Sequence, residues 1–351
     1  MKRVFLLFLA GMGGASLAVE AGDGPHQQLD WYPEGDERHP IERREHWEER
    51  RAAILRNFEA VAGEMPPRAD LPAVTWRVEE VEKAGSFEKR TVRMESGLGD
   101  EIIAYLYLPK SGMATGAGIV ALHPTHRIGK GVVDGQSERP NRAYGRELAE
   151  RGHVVIAPDY PSFGGLVEYD FANDVFESGT MRGIWNHMRC VDLLAALPDV
   201  EKDRVGVIGH SLGGHNAIFL AVFDPRVKAV VTSCGWTPFH DYYGGEVKGW
   251  TSDRYLPAIR DRYDLDPDRI PFDFAELIAA IAPRAFFSSS PLRDSNFDWR
   301  GVEKAAPEIR KIYGLYDADR AMRISYPDAD HDFPPSVRDE AYRFLESALA
   351  P

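Results

Sequence analysis

Residues 204–214 read Arg-Val-Gly-Val-Ile-Gly-His-Ser-Leu-Gly-Gly, and the helical pattern Asn-Ala-Ile-Phe-Leu-Ala follows at 216–221. The stretch is therefore a strand, a sharp turn and a helix in direct succession, with Gly-x-Ser-x-Gly at the turn. A serine on such a strained turn needs neighbours without bulk two residues before and after it, and Gly209 and Gly213 provide them. The pattern predicts that Ser211 is a nucleophile raised above the end of a sheet.

The same turn supplies groups that stabilise negative charge. The following helix points its N-terminus at the reaction centre, so the Leu212 N–H is one predicted oxyanion donor. The second donor is expected from the loop after the strand at 118–122, which begins His-Pro-Thr-His. Because Pro124 has no N–H, the Thr125 N–H is the candidate. The alternative is that Pro124 and Thr125 only turn the chain.

A nucleophilic serine needs a base, and the base needs a carboxylate to orient it. On sheets with this kind of turn the chain order is serine, acid, histidine. His331 follows the last predicted strand and is the predicted base. Asp294, in the loop after the preceding strand, is the predicted acid. Asp298, four residues later, is the alternative, whereas Asp332 is too close to His331 in sequence.

The fold class follows from short, uniformly apolar runs that alternate with helical patterns from residue 117 onward. Strands buried on both faces have this composition, and their alternation with helices predicts a mainly parallel sheet. The runs are 118–122, 153–157, 204–208, 227–232, 284–287 and 322–325. Three further strand patterns precede them, at 74–81, 90–94 and 102–108.

The segment 236–271 breaks this rhythm because it is rich in aromatic residues, glycine and charge. It is predicted to be an excursion over one end of the sheet. Tyr242, Tyr243 and Trp250 are its candidate substrate-binding residues, because aromatic rings can form an acyl-binding or sugar-stacking wall. The alternative is that these rings anchor a long loop onto the sheet.

Composition excludes several classes of function. The chain has 351 residues, with 42 Lys and Arg against 55 Asp and Glu, and a formal charge of −13, which disfavours a nucleic-acid partner. Two cysteines exclude a disulfide framework, and Cys190 and Cys234 are interpreted as small buried hydrophobes, with a single bridge between them as the alternative. No metal-ligand spacing and no phosphate-binding glycine loop is found, so neither a metal nor another cofactor is predicted.

The N-terminus predicts export. Lys2 and Arg3 precede an apolar run at 4–9 and then small residues, which is the pattern of a signal peptide cleaved after residue 21. The mature protein is therefore expected to be secreted or periplasmic. No stretch approaches the roughly 20 apolar residues of a spanning helix.

A second prediction concerns the residues between the signal peptide and the sheet. Residues 22–69 are expected to be an exposed leader followed by an amphipathic helix, and 70–351 to be the catalytic domain. The apolar face of the helix includes Trp47 and Phe58. Its opposite charged face, which includes Arg50, is interpreted as solvent-exposed.

Several of these motifs resemble one family. Gly-His-Ser-Leu-Gly-Gly at 209–214, the strand exit at Asp294 and the loop Asp-His-Asp-Phe at 330–333 resemble the α/β-hydrolase fold. The segments 157–164 and 183–189 are similar to its dienelactone hydrolase-like, acetyl xylan esterase-like and prolyl-oligopeptidase-like secreted members. The resemblance covers roughly residues 70–350 and implies a mainly parallel eight-stranded sheet flanked by helices.

The resemblance also implies an activity. The expected function is a serine esterase that cleaves small-molecule or carbohydrate esters, with removal of acetyl or other small acyl groups as the expected reaction. The alternative is a serine peptidase acting on short peptides. Dienelactone hydrolases proper use a cysteine where this chain has Ser211, which argues against the dienelactone reaction itself.

Overall fold

The computed structural model describes residues 28–34 and 37–351 of the chain. The predicted signal peptide, residues 1–21, lies outside the described residues, so its cleavage and the export of the protein stay predictions. None of the helices in the described part combines the length and the apolar character of a bilayer-crossing segment.

Two sheets are formed by the strands of the described residues. β1 (Trp31–Glu34) and β2 (Glu37–Pro40) pair with each other in antiparallel orientation. The strands of the large sheet are β3 (Trp76–Lys83), β4 (Phe87–Glu95), β5 (Glu101–Pro109), β6 (Gly118–Leu122), β7 (Val154–Pro158), β8 (Val205–His210), β9 (Val227–Ser233), β10 (Ala285–Ser289) and β11 (Met322–Ser325). Their spatial order is β11-β10-β9-β8-β6-β7-β5-β4-β3.

The large sheet confirms the predicted α/β-hydrolase architecture. Strands β6 to β11 pair in parallel, and β3, β4 and β5 form an antiparallel edge. The sheet has nine strands instead of the expected eight, and each of them overlaps a strand segment predicted from the sequence.

The register of the parallel strands brings their carboxyl ends to one edge. Leu122 pairs with Gly209, and His210 pairs with Ser233. Ser233 in turn pairs with Ser289, and Ser289 with Ser325. The loops that follow β6, β8, β9, β10 and β11 therefore leave the sheet side by side, where ligands bind in open parallel sheets.

Helices cover both faces of the sheet. They are α1 (Arg44–Ala62), α2 (Tyr144–Glu150), α3 (Gly179–Ala196), α4 (Leu212–Phe223), α5 (Ala258–Asp261), α6 (Phe274–Ala279), α7 (Trp299–Gly314) and α8 (Pro335–Ala348). Successive residues of the strands face opposite sides, so Val120 belongs to one apolar core and Ile119 to the other. The larger core includes residues of α1, α3, α4, α6 and α7, and the smaller one includes residues of α2 and α8.

The N-terminal region departs from the prediction in two respects. Residues 31–34 and 37–40 form the paired strands β1 and β2 where only a leader was expected, and Leu29 just before them is fully buried. Arg50 is also buried, although the charge pattern of its helix placed it in solvent. Its guanidinium donates to the Glu276 carboxylate and lies 3.7 Å from the ring centre of Trp31. A buried charge needs such a partner, and the partner comes from a distant segment.

Candidate active site

The backbone at Ser211 has the strain expected of a sharp strand-to-helix turn. Ser211 lies between the end of β8 and the start of α4, with φ 56° and ψ −118°. A side chain on Gly209 would place its Cβ less than 3.0 Å from the Gly213 carbonyl oxygen. A Cβ on Gly213 would come equally close to the Leu122 carbonyl oxygen at the end of β6. Close backbone approaches therefore require glycine at both positions, as the spacing of the motif predicted, while the role of Ser211 as nucleophile stays a prediction.

His331 and Asp294 meet because the loops after β10 and β11 continue to pair beyond the sheet. Leu292 N donates to Pro327 O at 3.0 Å, and Arg293 N donates to Ala329 O at 3.0 Å. This pairing sets Asp294 beside His331, whose Nδ1 lies 2.9 Å from Asp294 Oδ2 and 3.0 Å from Oδ1.

The Asp294 side chain is fully buried, and its charge is held by further donors. Oδ1 also accepts the backbone N–H groups of Asn296 at 2.8 Å and Phe297 at 3.2 Å. Asp298, the alternative acid, instead accepts the Arg300 N–H at 2.9 Å as the N-cap of α7. The structure thus brings Asp294, and not Asp298, to His331.

The loop after β6 packs directly against the serine turn. His123 fixes this loop, since its Nε2 accepts the Tyr160 N–H at 2.9 Å and its Nδ1 lies 2.8 Å from Pro124 O. This arrangement requires the neutral ring, and burial lowers the pKa of His123 accordingly. Within the described residues, the N–H groups of Thr125 and Leu212 have no protein acceptor. An oxyanion donor needs an N–H group that is not already committed to a protein acceptor.

Ser211 and His331 open into the same small cavity. Its volume is about 50 Å³. The lining residues are Pro124, Thr125, His126, Val132, Ser137, Arg139, Arg142, His210, Ser211 and His331. A larger groove of about 340 Å³ between α2 and α8 is lined mainly by charged residues, and neither Ser211 nor His331 lines it. The predicted nucleophile, base and both candidate oxyanion segments therefore converge, with Leu212 next to Ser211 at the start of α4.

Comparison with known proteins agrees with this geometry. The family model described as "Alpha/beta hydrolase family" matches residues 140–346, which is more than half of the chain. The chain belongs to the alpha/beta hydrolase family. It is 26% identical over 316 residues to YtaP of Bacillus subtilis, a protein named as a hydrolase, covering 86% of this chain and 99% of that protein.

Two further proteins similar to this alpha/beta hydrolase are named as esterases. The 4-O-methyl-glucuronoyl methylesterase 1 of Wolfiporia cocos is 22% identical over 331 residues, which covers 86% of this chain and 76% of that protein. The solved glucuronoyl esterase from Solibacter usitatus superimposes with a TM-score of 0.72 at 19% identity, covering 93% of this chain and 99% of that one. At such identity the superposition establishes the fold.

One cavity residue of the hydrolase that sequence reasoning did not select is His210. It lies directly before Ser211, and its ring centre is 4.8 Å from that of His331. Its Nδ1 bonds the Ser233 hydroxyl at 3.0 Å. Burial lowers the pKa of His210 well below its usual range, and the nearby charge of Arg142 adds to this, so the ring is neutral. The sequence signal that could have identified His210 was its position directly before the serine in the Gly-x-Ser-x-Gly motif.

Arg142 is a second missed residue. Its guanidinium is buried, donates to the Asp332 carboxylate and donates to the His331 carbonyl oxygen at 3.1 Å. Burial alone would raise the pKa of Asp332, but the hydrogen bonds from Arg142 and Asn141 outweigh it and lower the pKa. Arg142 therefore holds the segment that carries His331.

A buried ion pair holds the loop after β6, which carries several residues of the cavity lining. Lys130 Nζ lies 2.6 Å from Asp159 Oδ2, and the Lys130 N–H donates to Asp159 Oδ1 at 2.8 Å. Gly165 N donates to the same carboxylate at 2.9 Å. Asp159 is fully buried directly after β7, so Lys130 ties the loop between β6 and α2 to the sheet.

The three aromatic candidates have different positions, and none of them lines the cavity as described. Trp250 is only 3% exposed and packs on His215, with ring centres 4.8 Å apart. Tyr242 contacts Phe297, whose ring stacks on His331 at 6.1 Å. Tyr243 is exposed, and its hydroxyl donates to Asn296. Trp250 thus anchors the excursion, and a substrate-binding role for the three residues stays a prediction.

Both cysteines are buried free thiols, so they do not form a bridge. Cys234 Sγ and donor atoms of Asp294 and His331 lie within 4.8 Å of one another. Burial and then the charge of Asp294 raise the pKa of the Cys234 thiol well above its usual range. A protonated thiol is a poor metal ligand. The absence of a metal from the predicted site stays a prediction.

Proposed function

We propose that this alpha/beta hydrolase cleaves carboxylic esters in two steps through an acyl-enzyme on Ser211. The observation that carries the proposal is the shared cavity of Ser211 and His331, with His331 Nδ1 held by both oxygens of Asp294. A strained serine, an oriented imidazole and a buried carboxylate together form the catalytic triad of acyl transfer.

The first step forms the acyl-enzyme. Ser211 Oγ attacks the ester carbonyl carbon, and His331 Nε2 takes the hydroxyl proton. Asp294 accepts the Nδ1–H hydrogen bond and stabilises the imidazolium that forms. The tetrahedral intermediate collapses when the bond to the alcohol oxygen breaks, and His331 returns its proton to that oxygen.

In the second step water takes the place of Ser211 as the attacking group: His331 accepts its proton, the bond to Ser211 Oγ breaks, and the carboxylic acid is released. In both steps the carbonyl oxygen gains negative charge, for which we propose the N–H groups of Leu212 and Thr125 as donors. Their lack of protein acceptors supports this role. The dipole of α4, whose N-terminus begins at Leu212, adds to the stabilisation.

The proposed substrate is a carbohydrate ester with a small acyl group. The volume of about 50 Å³ beside Ser211 suits an acetyl group better than a long acyl chain. The similar proteins named as glucuronoyl esterases support a sugar ester as the substrate class. The export signal predicted at residues 1–21 would place this activity outside the cytoplasm, where polysaccharides are met.

Turnover of p-nitrophenyl acetate tests the proposal. We expect Ser211→Ala to lower kcat by on the order of 10⁴-fold or more, as in triad knockouts, with an unchanged circular dichroism spectrum and melting temperature. An aminoacyl p-nitroanilide measured in parallel separates an esterase from a peptidase. Residual esterase activity within tenfold of the parent protein would remove Ser211 from the mechanism.

A further inference from the structure

The charges around the cavity differ in sign from those of the whole chain. The protein carries a formal charge of −13, yet the cavity lining includes two arginines, three histidines and no carboxylate. A positively charged site on a negatively charged protein favours an anionic ligand, which the rest of the surface repels.

Most of these cationic groups already have protein partners or are neutral. Arg142 is paired with Asp332, and the buried His210 is uncharged because its pKa is depressed by burial. His126 Nε2 faces the exposed carboxylate of Glu138 at 3.5 Å. These groups shape the cavity without leaving a free positive charge.

Arg139 is the exception. Across residues 28–34 and 37–351, no carboxylate lies within ion-pairing distance of its guanidinium, and no acceptor takes a hydrogen bond from it. Arg139 and Ser211 line the same cavity, but Arg139 is exposed whereas Ser211 is half-buried, so Arg139 lies toward the solvent end of the cavity. The carboxylate of the neighbouring Glu138 lies 3.5 Å from His126; it is influenced by the charge of Arg139 but does not lie within ion-pairing distance of that guanidinium.

We propose, on the basis of the ester hydrolysis assigned above, that Arg139 selects esters whose alcohol part carries a carboxylate. The small inner end of the cavity would take the acyl group, which leaves the alcohol part at the mouth beside Arg139. A guanidinium is suited to this task because its planar N–H groups match the two oxygens of a carboxylate. An acylated acidic sugar has this chemistry.

A matched pair of acetate esters tests the proposal. 4-Acetoxybenzoate carries a carboxylate on its alcohol part, and 4-acetoxybenzamide is its neutral counterpart of nearly equal size. We expect kcat/KM to favour the benzoate, and Arg139→Gln to lower kcat/KM for the benzoate about fivefold, the upper range for an exposed ion pair. Turnover of the benzamide should stay within twofold, and Arg139→Glu should favour the neutral ester.

Arg127→Gln is the matched control, since Arg127 is an exposed arginine of the same loop that does not line the cavity. We expect it to leave the preference unchanged. An equal loss with Arg127→Gln, or no loss with Arg139→Gln, would overturn the selective role of Arg139 while ester hydrolysis stands. Failure of the parent protein to hydrolyse either ester in a Ser211-dependent way would instead overturn the proposed function, and this inference with it.

Discussion

Asp294 presents both carboxylate oxygens to His331 Nδ1, at 2.9 and 3.0 Å. The Asp294 side chain is fully buried, whereas 21% of the His331 side chain is exposed. This contact fixes the Nδ1–H tautomer of the ring, because a carboxylate can only accept the hydrogen bond. The other ring nitrogen, Nε2, is not engaged by Asp294, which suits the role of base that we propose for His331.

We expect Asp294→Asn to lower kcat by about 10⁴-fold, the loss seen in the analogous triad. An amide can donate its N–H₂ to Nδ1, which stabilises the wrong tautomer. The measurement is steady-state kinetics on p-nitrophenyl acetate, together with the melting temperature. Asp298→Asn is the control, because Asp298 caps α7 through the Arg300 N–H. It should cost about 1 kcal/mol of stability at most and leave kcat unchanged. The opposite pattern would reassign the acid to Asp298.

Gly213→Ala should damage the serine turn. Its new methyl group would collide with the backbone carbonyl of Leu122, which cannot move as a flexible side chain can. We expect about a 100-fold loss of kcat from misplaced reacting groups and a stability loss of about 1–3 kcal/mol. Gly85→Ala is the matched control, since a Cβ at Gly85 would meet nothing within 4 Å. Kinetics and chemical denaturation of both variants measure the difference, and equal behaviour would contradict the close approach at Gly213.

Lys130→Met should destabilise the loop after β6 by leaving the Asp159 carboxylate buried without its ion-pair partner. Breaking a buried pair from one side costs about 3–5 kcal/mol. Adding Asp159→Asn to Lys130→Met should recover part of this loss, because the amide needs no counter-ion. Urea denaturation gives the free energy of unfolding for each variant. Lys202→Met, at an exposed lysine, is the control. A loss below 1 kcal/mol for Lys130→Met would mean that the pair does not hold the loop.

Acid should destabilise the folded protein through its buried histidines. Burial lowers the pKa of His215 to about 3 and that of His187 to about 3, against an ordinary value of 6.5. Between these values the unfolded chain binds more protons, so stability falls as the pH drops from about 6.5 to about 3. Each such histidine should lower the free energy of unfolding by about 2 kcal/mol between pH 7 and pH 5.

His215→Phe tests how much of this pH dependence of stability comes from one histidine. Its ring packs among Phe219, Trp250 and Tyr255, where an aromatic replacement fits chemically, and both of its nitrogens lack hydrogen-bond partners in the described structure. Between pH 7 and pH 5, we expect the free energy of unfolding of His215→Phe to fall by less than that of the parent protein. An unchanged slope for His215→Phe would mean that His215 is not buried as a neutral ring.

Local sequence was sufficient to predict the serine turn and the strands of the large sheet. The strand, turn and helix around Ser211 are consecutive in the chain, so the positions of Gly209 and Gly213 carry the geometry by themselves. The parallel strands are buried on both faces, and this makes each of them a visible apolar run. Asp294 and His331 could be predicted because both follow strands whose carboxyl ends lie at one edge of the sheet.

The tertiary structure alone decided which charged groups lie at the site and which lie in the core. Arg142 reaches Asp332 across 190 positions of the chain, and Arg50 reaches Glu276 across 226. The choice between Asp294 and Asp298 likewise rests on which loops pair beyond β10 and β11. Such contacts follow no helical or strand period, because a charged side chain is buried only where folding brings an oppositely charged partner next to it. The amphipathic pattern of α1 therefore placed Arg50 wrongly in solvent, and the loop sequence gave no sign that Arg139 lines the same cavity as Ser211.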